Sequence, residues 1–200
     1  MSYNYIAIEG NIGAGKSTLA NLLAKHYNAT LVLEEFADNV FLPKFYNEPA
    51  RYALPLELSF LTDRYRQLKQ LHSDNNTANK KIIADYTLIK SDLFAQVNLE
   101  EQEYALFQNI FGIINPNLPH PDLLIYLDAP ILKLQDNIHK RGRAYEQSIP
   151  DEYLAKVQSV YQQYLKQTSI KTIIIDTIQE DFITNPTSIK NLLSVLDGQE

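Results

Sequence analysis

Gly10-Asn11-Ile12-Gly13-Ala14-Gly15-Lys16-Ser17-Thr18 is the stretch on which the reading of this chain turns. An apolar run, Tyr5-Ile6-Ala7-Ile8, stands before it, and an amphipathic run with Leu19, Leu22, Leu23 and Tyr27 stands after it. The order is therefore strand, glycine loop, helix, the context in which such a loop cradles phosphate. Glycines let the backbone turn so that successive N–H groups converge on an anion. A helix beginning near Lys16 adds its positive end at the same spot. Lys16 can then reach the β- and γ-phosphates, and the Ser17 hydroxyl can ligate Mg²⁺. The stretch predicts binding of a nucleoside triphosphate along residues 10–18 with Mg²⁺ beside Ser17.

Working outward, four more segments share the short, branched, apolar character of the first: Thr30–Leu33, Lys81–Ala84, Leu123–Leu127 and Thr172–Ile175. Continuous apolar runs of this length suit buried parallel strands, so the chain reads as an α/β protein with a five-stranded parallel sheet and helices on both faces. Acids stand at the carboxyl edge, at Glu9, Glu34, Asp85, Asp128 and Asp176. Open α/β sheets bind ligands at that edge, so these acids are candidates by position. Asp128 and Asp176 are better read as caps of the turns that follow. Asp85 closes the run Ile82-Ile83-Ala84 and is expected near Mg²⁺. Glu34 and Glu35 close the second strand, and alternation allows only one of them into the cleft without saying which.

The gaps carry helical patterns. Arg51 to His72 places Leu54, Leu58, Leu61, Tyr65 and Leu68 in a stripe, with Pro55 read as belonging to the first turn. Glu57 and Arg64, seven apart, share one face at the edge of that stripe. Ser73–Thr77 reads as a polar loop. Ser91–Ile114 predicts two helices, Ile131–His139 a short one, Pro150 opens another, and Ser188–Leu196 is the last. Arg141 and Arg143 flank Gly142 in a basic loop; beside a phosphate loop, such a segment is expected to act as a lid that closes arginines over the phosphates. No repeat, low-complexity tract or linker interrupts the pattern, so residues 1–200 are read as one domain.

Composition narrows the function. The chain has 200 residues, a formal net charge of −6 and no cysteine. Broad nucleic-acid or anionic-membrane binding needs an excess of cations, so neither partner is expected. The absence of cysteine removes disulfides and thiolate metal sites. No apolar run is long enough to span a bilayer, and the N-terminus enters a strand with no basic or apolar leader. A soluble cytoplasmic protein is expected.

Taken together, Gly10–Thr18, the acid after the second strand, Phe45-Tyr46-Asn47-Glu48-Pro49-Ala50-Arg51-Tyr52, and Arg141-Gly142-Arg143-Ala144-Tyr145-Glu146-Gln147-Ser148-Ile149-Pro150 resemble the deoxynucleoside kinases, most closely the bacterial deoxyadenosine/deoxyguanosine kinase branch. The resemblance covers about residues 3–165 and implies a P-loop kinase fold with an arginine-bearing lid. It implies that Glu34 is the catalytic carboxylate that accepts the proton of the sugar 5′-hydroxyl. It also implies that Tyr46 and Glu146 hold the 3′-hydroxyl, that Arg64 lines the base pocket, and that Asp85 helps hold Mg²⁺. Arg141 and Arg143 match the lid arginines, and the family's usual assembly implies a homodimer formed through helices outside the sheet. The acceptor would be a small deoxynucleoside and the reaction its 5′-phosphorylation by ATP with Mg²⁺.

Three positions depart from the family pattern. Tyr86 stands where an arginine usually follows the acid of the third strand, and Asn137 stands where a further lid arginine is often found; Lys90 and Lys140 are the cations available to substitute. Glu57 stands where the family usually reads the base with a glutamine. An ionised carboxylate only accepts hydrogen bonds. The Watson–Crick edge of guanine presents two adjacent donors, so Glu57 predicts a purine preference leaning to deoxyguanosine. The other reading of Glu57 is that Arg64 occupies it and it reads nothing directly.

A nucleoside monophosphate kinase of the thymidylate kinase type has a similar loop and lid. It needs extra arginines for the acceptor phosphate, and between residues 18 and 140 there are only Arg51, Arg64 and Arg66. A GTPase-type switch is disfavoured because Asn79-Lys80-Lys81-Ile82 lacks the aspartate of a guanine-reading sequence. A relative that keeps the fold without activity stays open because of Tyr86.

Overall fold

In the computed structural model, which describes residues 3–35, 39–73, 81–182 and 185–198, all five apolar runs are strands. They are β1 (Tyr5–Gly10), β2 (Thr30–Val32), β3 (Ile82–Ala84), β4 (Leu123–Asp128) and β5 (Thr172–Asp176). They form one sheet in the order β2-β3-β1-β4-β5, with every neighbouring pair parallel. β1 is central, with Ile6 in register with Ile83 on one side and Leu123 on the other, and all six of its residues are buried. That position explains why its sequence is apolar at consecutive residues instead of alternating.

The helices are α1 (Lys16–Tyr27), α2 (Leu42–Asn47), α3 (Pro49–Ser73), α4 (Ile89–Asn98), α5 (Glu101–Ile114), α6 (Ile131–Arg141), α7 (Asp151–Gln167) and α8 (Pro186–Asp197). The strand pleat divides the core between the two faces of the sheet. Ile6 and Ile8 of β1 and Leu123, Ile125 and Leu127 of β4 meet Leu19 and Leu23 of α1, Leu134 and Ile138 of α6, and Leu192 and Leu196 of α8. Tyr5 and Ala7 point the other way, into Leu61 and Leu68 of α3, Ala95 of α4 and Phe107 of α5. Period-two strands and period-3.6 helices thus bury complementary surfaces on both sides.

Two local expectations need correction. Pro55 is not in a first turn: α3 starts at Pro49, whose fixed φ suits a helix start, and Pro55 lies inside the helix. The short α2, with Pro43 in its first turn and Phe45 buried, has no counterpart in the sequence pattern because six residues are too few to show a period. Of the polar loop expected at Ser73–Thr77, Ser73 ends α3 and positions 74–77 lie outside the described residues, as do Asn79 and Lys80. Among the described residues no helix is long and apolar enough to cross a membrane.

Candidate active site

Beyond the carboxyl ends of β1, β2 and β3 lies a cleft of about 520 Å³. Its floor is the glycine loop. Asn11 fixes the loop's entry, donating to the Leu154 carbonyl at 2.8 Å and accepting from the Ile12 N–H at 2.8 Å. Gly13 has φ +82°, and a Cβ there would stand 2.7 Å from the Leu134 carbonyl oxygen, so both its conformation and the approach of α6 require glycine. Asn137 of α6 donates to the Gly13 carbonyl at 2.8 Å. The Lys16 ammonium is held by the Gly10 and Asn11 carbonyls at 2.9 and 2.8 Å. Burial, and next the charge of Lys90, lower its pKa to about 7. Ile12–Thr18 line the cleft.

The acids at the strand ends converge on this loop. Ser17 Oγ donates to Asp85 Oδ2, and Asp85 Oδ1 accepts from the Glu34 N–H at 2.8 Å. Asp85 therefore ties the helix start of the glycine loop to the segment after β2. Glu34 turns into the cleft, whereas Glu35 faces solvent 3.6 Å from Arg66, which decides between the two acids.

Two cations bracket Glu34. Arg64 of α3 donates to Oε1 through Nε at 2.9 Å and through Nη2, and Lys90 of α4 donates to Oε2 at 2.5 Å. Arg64 is itself anchored on Ser91 Oγ at 2.6 Å. Burial pushes the Glu34 carboxyl up, but Lys90 and Arg64 outweigh it and hold the group well below the usual carboxylate range.

Glu57, about two turns before Arg64 on α3, is not occupied by that arginine, whose hydrogen bonds go to Glu34 and Ser91. Its Oε1 accepts from Asn98 Nδ2 at 2.7 Å, while its buried Oε2 has no hydrogen-bond partner. The residue is 1% exposed yet lines the cleft. Burial raises its pKa to about 7, against the Asn98 hydrogen bond and the Arg64 charge, which pull it down. Leu56, Phe60, Phe94 and Tyr153 supply apolar walls around it.

The lid begins where α6 ends. Gly142, at φ +72°, closes the helix and redirects the chain. Arg141 donates to Glu146 Oε2 at 2.5 Å and Arg143 to Oε1 at 3.1 Å, so both lid arginines converge on Glu146 at the cleft mouth. Tyr46 of α2 lines the same side and stacks on Tyr145, with ring centroids 6.2 Å apart.

The remaining edge acids do other work. Glu9 is fully buried, accepting from the Thr87 N–H, the Thr87 hydroxyl and the Tyr161 hydroxyl, each at 2.7 Å. Asp176 caps its turn as expected, accepting from the Ile178 N–H at 2.8 Å. Asp128 does not: its carboxylate accepts from Gln158 of α7 at 3.2 Å, because that helix runs close to the end of β4.

A family model described as deoxynucleoside kinase matches residues 6–197. The chain belongs to the deoxynucleoside kinase family. It is 32% identical to a deoxyguanosine kinase of Bacillus subtilis over 94% of this chain and 93% of that protein. It is 26% identical to a deoxyadenosine/deoxycytidine kinase of the same organism, over 94% of this chain and 89% of that one. Its fold superposes on a deoxyadenosine kinase of M. mycoides, solved with dCMP and dCDP, with TM-score 0.85 and 26% identity, covering 97% and 99% of the two chains.

In this deoxynucleoside kinase the departures from the family pattern have visible consequences. Tyr86 is completely buried and donates to Gln67 at 2.6 Å, away from the cleft. The cations around Glu34 come instead from Arg64 and Lys90. Asn137 braces the glycine loop from α6. The residue that sequence reasoning missed is Asn98, a single asparagine at the end of α4 with no motif around it. The apolar wall residues were legible only as members of helical stripes.

Proposed function

We propose that this kinase transfers the γ-phosphoryl group of ATP to the 5′-hydroxyl of a purine deoxynucleoside, with deoxyguanosine preferred when Glu57 is ionised. The observation that carries this reading is the presence in one cleft of two carboxylates, the partly buried Glu34 and the fully buried Glu57. Glu34 is held ionised by Arg64 and Lys90, and Glu57 has an unpartnered Oε2 beside the Oε1 that Asn98 holds.

In this reading Gly10–Thr18 and Lys16 bind the triphosphate. The sugar lies between them and α3, its 3′-hydroxyl held by Tyr46 and Glu146. Glu34 accepts the 5′-hydroxyl proton as that oxygen bonds to the γ-phosphorus and the bond to the ADP oxygen breaks. Arg141 and Arg143 neutralise the oxygens of the group in flight. Phosphoryl transfer asks little covalent chemistry of a protein, so positioning and charge stabilisation carry the rate. Ser17 and Asp85 are the residues that would hold Mg²⁺. Two hard oxygen donors suit an ion that takes one or two protein ligands together with phosphates and water. When bound, it supplies neutralisation of phosphate charge. The homodimer and the cytoplasmic location implied by the resemblance belong to the same reading.

The test is ADP release from ATP·Mg²⁺ with each of the four deoxynucleosides, alongside dTMP and dAMP. Turnover with purine deoxynucleosides, deoxyguanosine first at pH about 8, is the expected result. Turnover with a monophosphate alone would move the acceptor to the thymidylate kinase type.

A further inference from the structure

Glu57 is an unusual base reader because its two oxygens are inequivalent. Oε1 is engaged by the Asn98 amide at 2.7 Å, and an N–H donor there requires Oε1 to be an acceptor in every protonation state. Any proton that Glu57 carries must therefore sit on Oε2, the buried oxygen without a partner in a residue that lines the cleft. Asn98 fixes the tautomer as well as the orientation.

The two states then present different edges. Ionised, Glu57 offers two acceptors, which match the adjacent N1–H and 2-amino donors of guanine; Oε1 keeps a second lone pair for this beside Asn98. Protonated, it offers a donor at Oε2 and an acceptor at Oε1. That order matches the ring nitrogen and exocyclic amine of adenine, and equally those of cytosine. We propose that Glu57 is a two-state specificity residue whose proton on Oε2, positioned by Asn98, selects between guanine and the 6-amino or 4-amino bases in a single pocket.

The surroundings allow both states. The groups facing Glu57 are Arg64 on its own helix, Lys90 and Asn98 on α4, Glu34 after β2 and Tyr153 on α7. Arg64 and Lys90 favour the carboxylate, Glu34 opposes it, and the loss of water around a residue 1% exposed opposes it most. The balance lies at about 7, so both forms are present near neutral pH. The inference rests on the site being a deoxynucleoside pocket, as proposed above.

The experiment is the ratio of kcat/KM for deoxyguanosine to that for deoxyadenosine, followed with pH in the wild type and in Glu57→Gln. Everything common to the two substrates cancels in the ratio, including the titration of catalytic groups. Neither base titrates near neutrality. The wild-type ratio should rise about tenfold per pH unit between about pH 6 and 8. Deoxycytidine should follow deoxyadenosine. Glu57→Gln, which is locked as donor and acceptor, should favour deoxyadenosine with a ratio that does not move with pH. Turnover of both purines with a flat wild-type ratio overturns the two-state reader while leaving the kinase assignment intact. No turnover with any deoxynucleoside removes the pocket assignment and this inference with it.

Discussion

In the proposed mechanism, Glu34 is placed for catalysis at the expense of basicity. Arg64 and Lys90 hold it ionised, which makes it a weak base, and a weak base suffices where the transition state is loose and the 5′-hydroxyl proton leaves late. Its contribution is then geometric: Asp85 holds its backbone N–H, and two cations hold its two oxygens. Glu34→Gln should lower kcat by about 10²–10⁴-fold with little change in KM for the deoxynucleoside. Because the carboxyl lies well below its usual range, it stays ionised as pH falls. Wild-type kcat with deoxyadenosine should therefore stay level from neutrality down to about pH 5. A kcat that titrates away near pH 6 in the wild type would assign the proton acceptor to a different group. Glu34 and Glu35 were indistinguishable in the sequence by strand alternation alone, since the strand ends at Val32 and neither residue lies in it.

At the scale of elements, the glycine loop and the lid are one mechanical unit because α6 touches the first and carries the second. Gly13 packs against the Leu134 carbonyl, Asn137 donates to the Gly13 carbonyl, and Arg141 ends the same helix. Gly13→Ala forces a Cβ into backbone at a positive φ, so a loss of about 1–3 kcal/mol is expected by chemical denaturation. Asn137→Ala should cost about 1 kcal/mol and raise KM for ATP more than KM for the deoxynucleoside. Equal changes in both constants would show that α6 does not act through the loop. The loop, the five strands and the basic lid were legible in the chain because each signal is local: glycine spacing, a run of branched residues, Arg-Gly-Arg. The contacts that shape the cleft were not. Asn98 meets Glu57 across 41 positions and Asn137 meets Gly13 across 124, and nothing in either neighbourhood marks the partner. Tyr86 read as a missing cation with Lys90 and Lys140 as substitutes; the packing of α3 against α4 sets Lys90 on Glu34 and adds Arg64, which the resemblance assigns to the base pocket.

For the whole molecule, the same carboxylates make folding stability depend on pH in opposite directions. The chain carries a net charge of −6, yet its cleft sets Lys16, Arg64, Lys90, Lys140, Arg141 and Arg143 against Glu34, Glu57, Asp85 and Glu146, a field with a local excess of cations that suits an anionic ligand. Within that field Glu34 is depressed, so the stability it contributes is complete above the ordinary carboxylate range and is lost as pH falls below it. Glu57 is raised to about 7, so the folded protein binds its proton more tightly than the unfolded chain does. Its ionisation costs stability in full above pH about 7, and the cost is relieved as pH falls toward about 4.5. The two effects occupy adjacent windows and can be separated. Glu57→Gln keeps the shape and an acceptor for Asn98 while removing the charge. It should be more stable than the wild type by about 1–3 kcal/mol at pH 8, and the difference should shrink toward zero near pH 5. Thermal unfolding of the two proteins across that range measures it without substrate. An offset that stays constant with pH would mean that Glu57 titrates as an ordinary surface carboxyl. In that case the burial of its free oxygen would set no proton at the base edge.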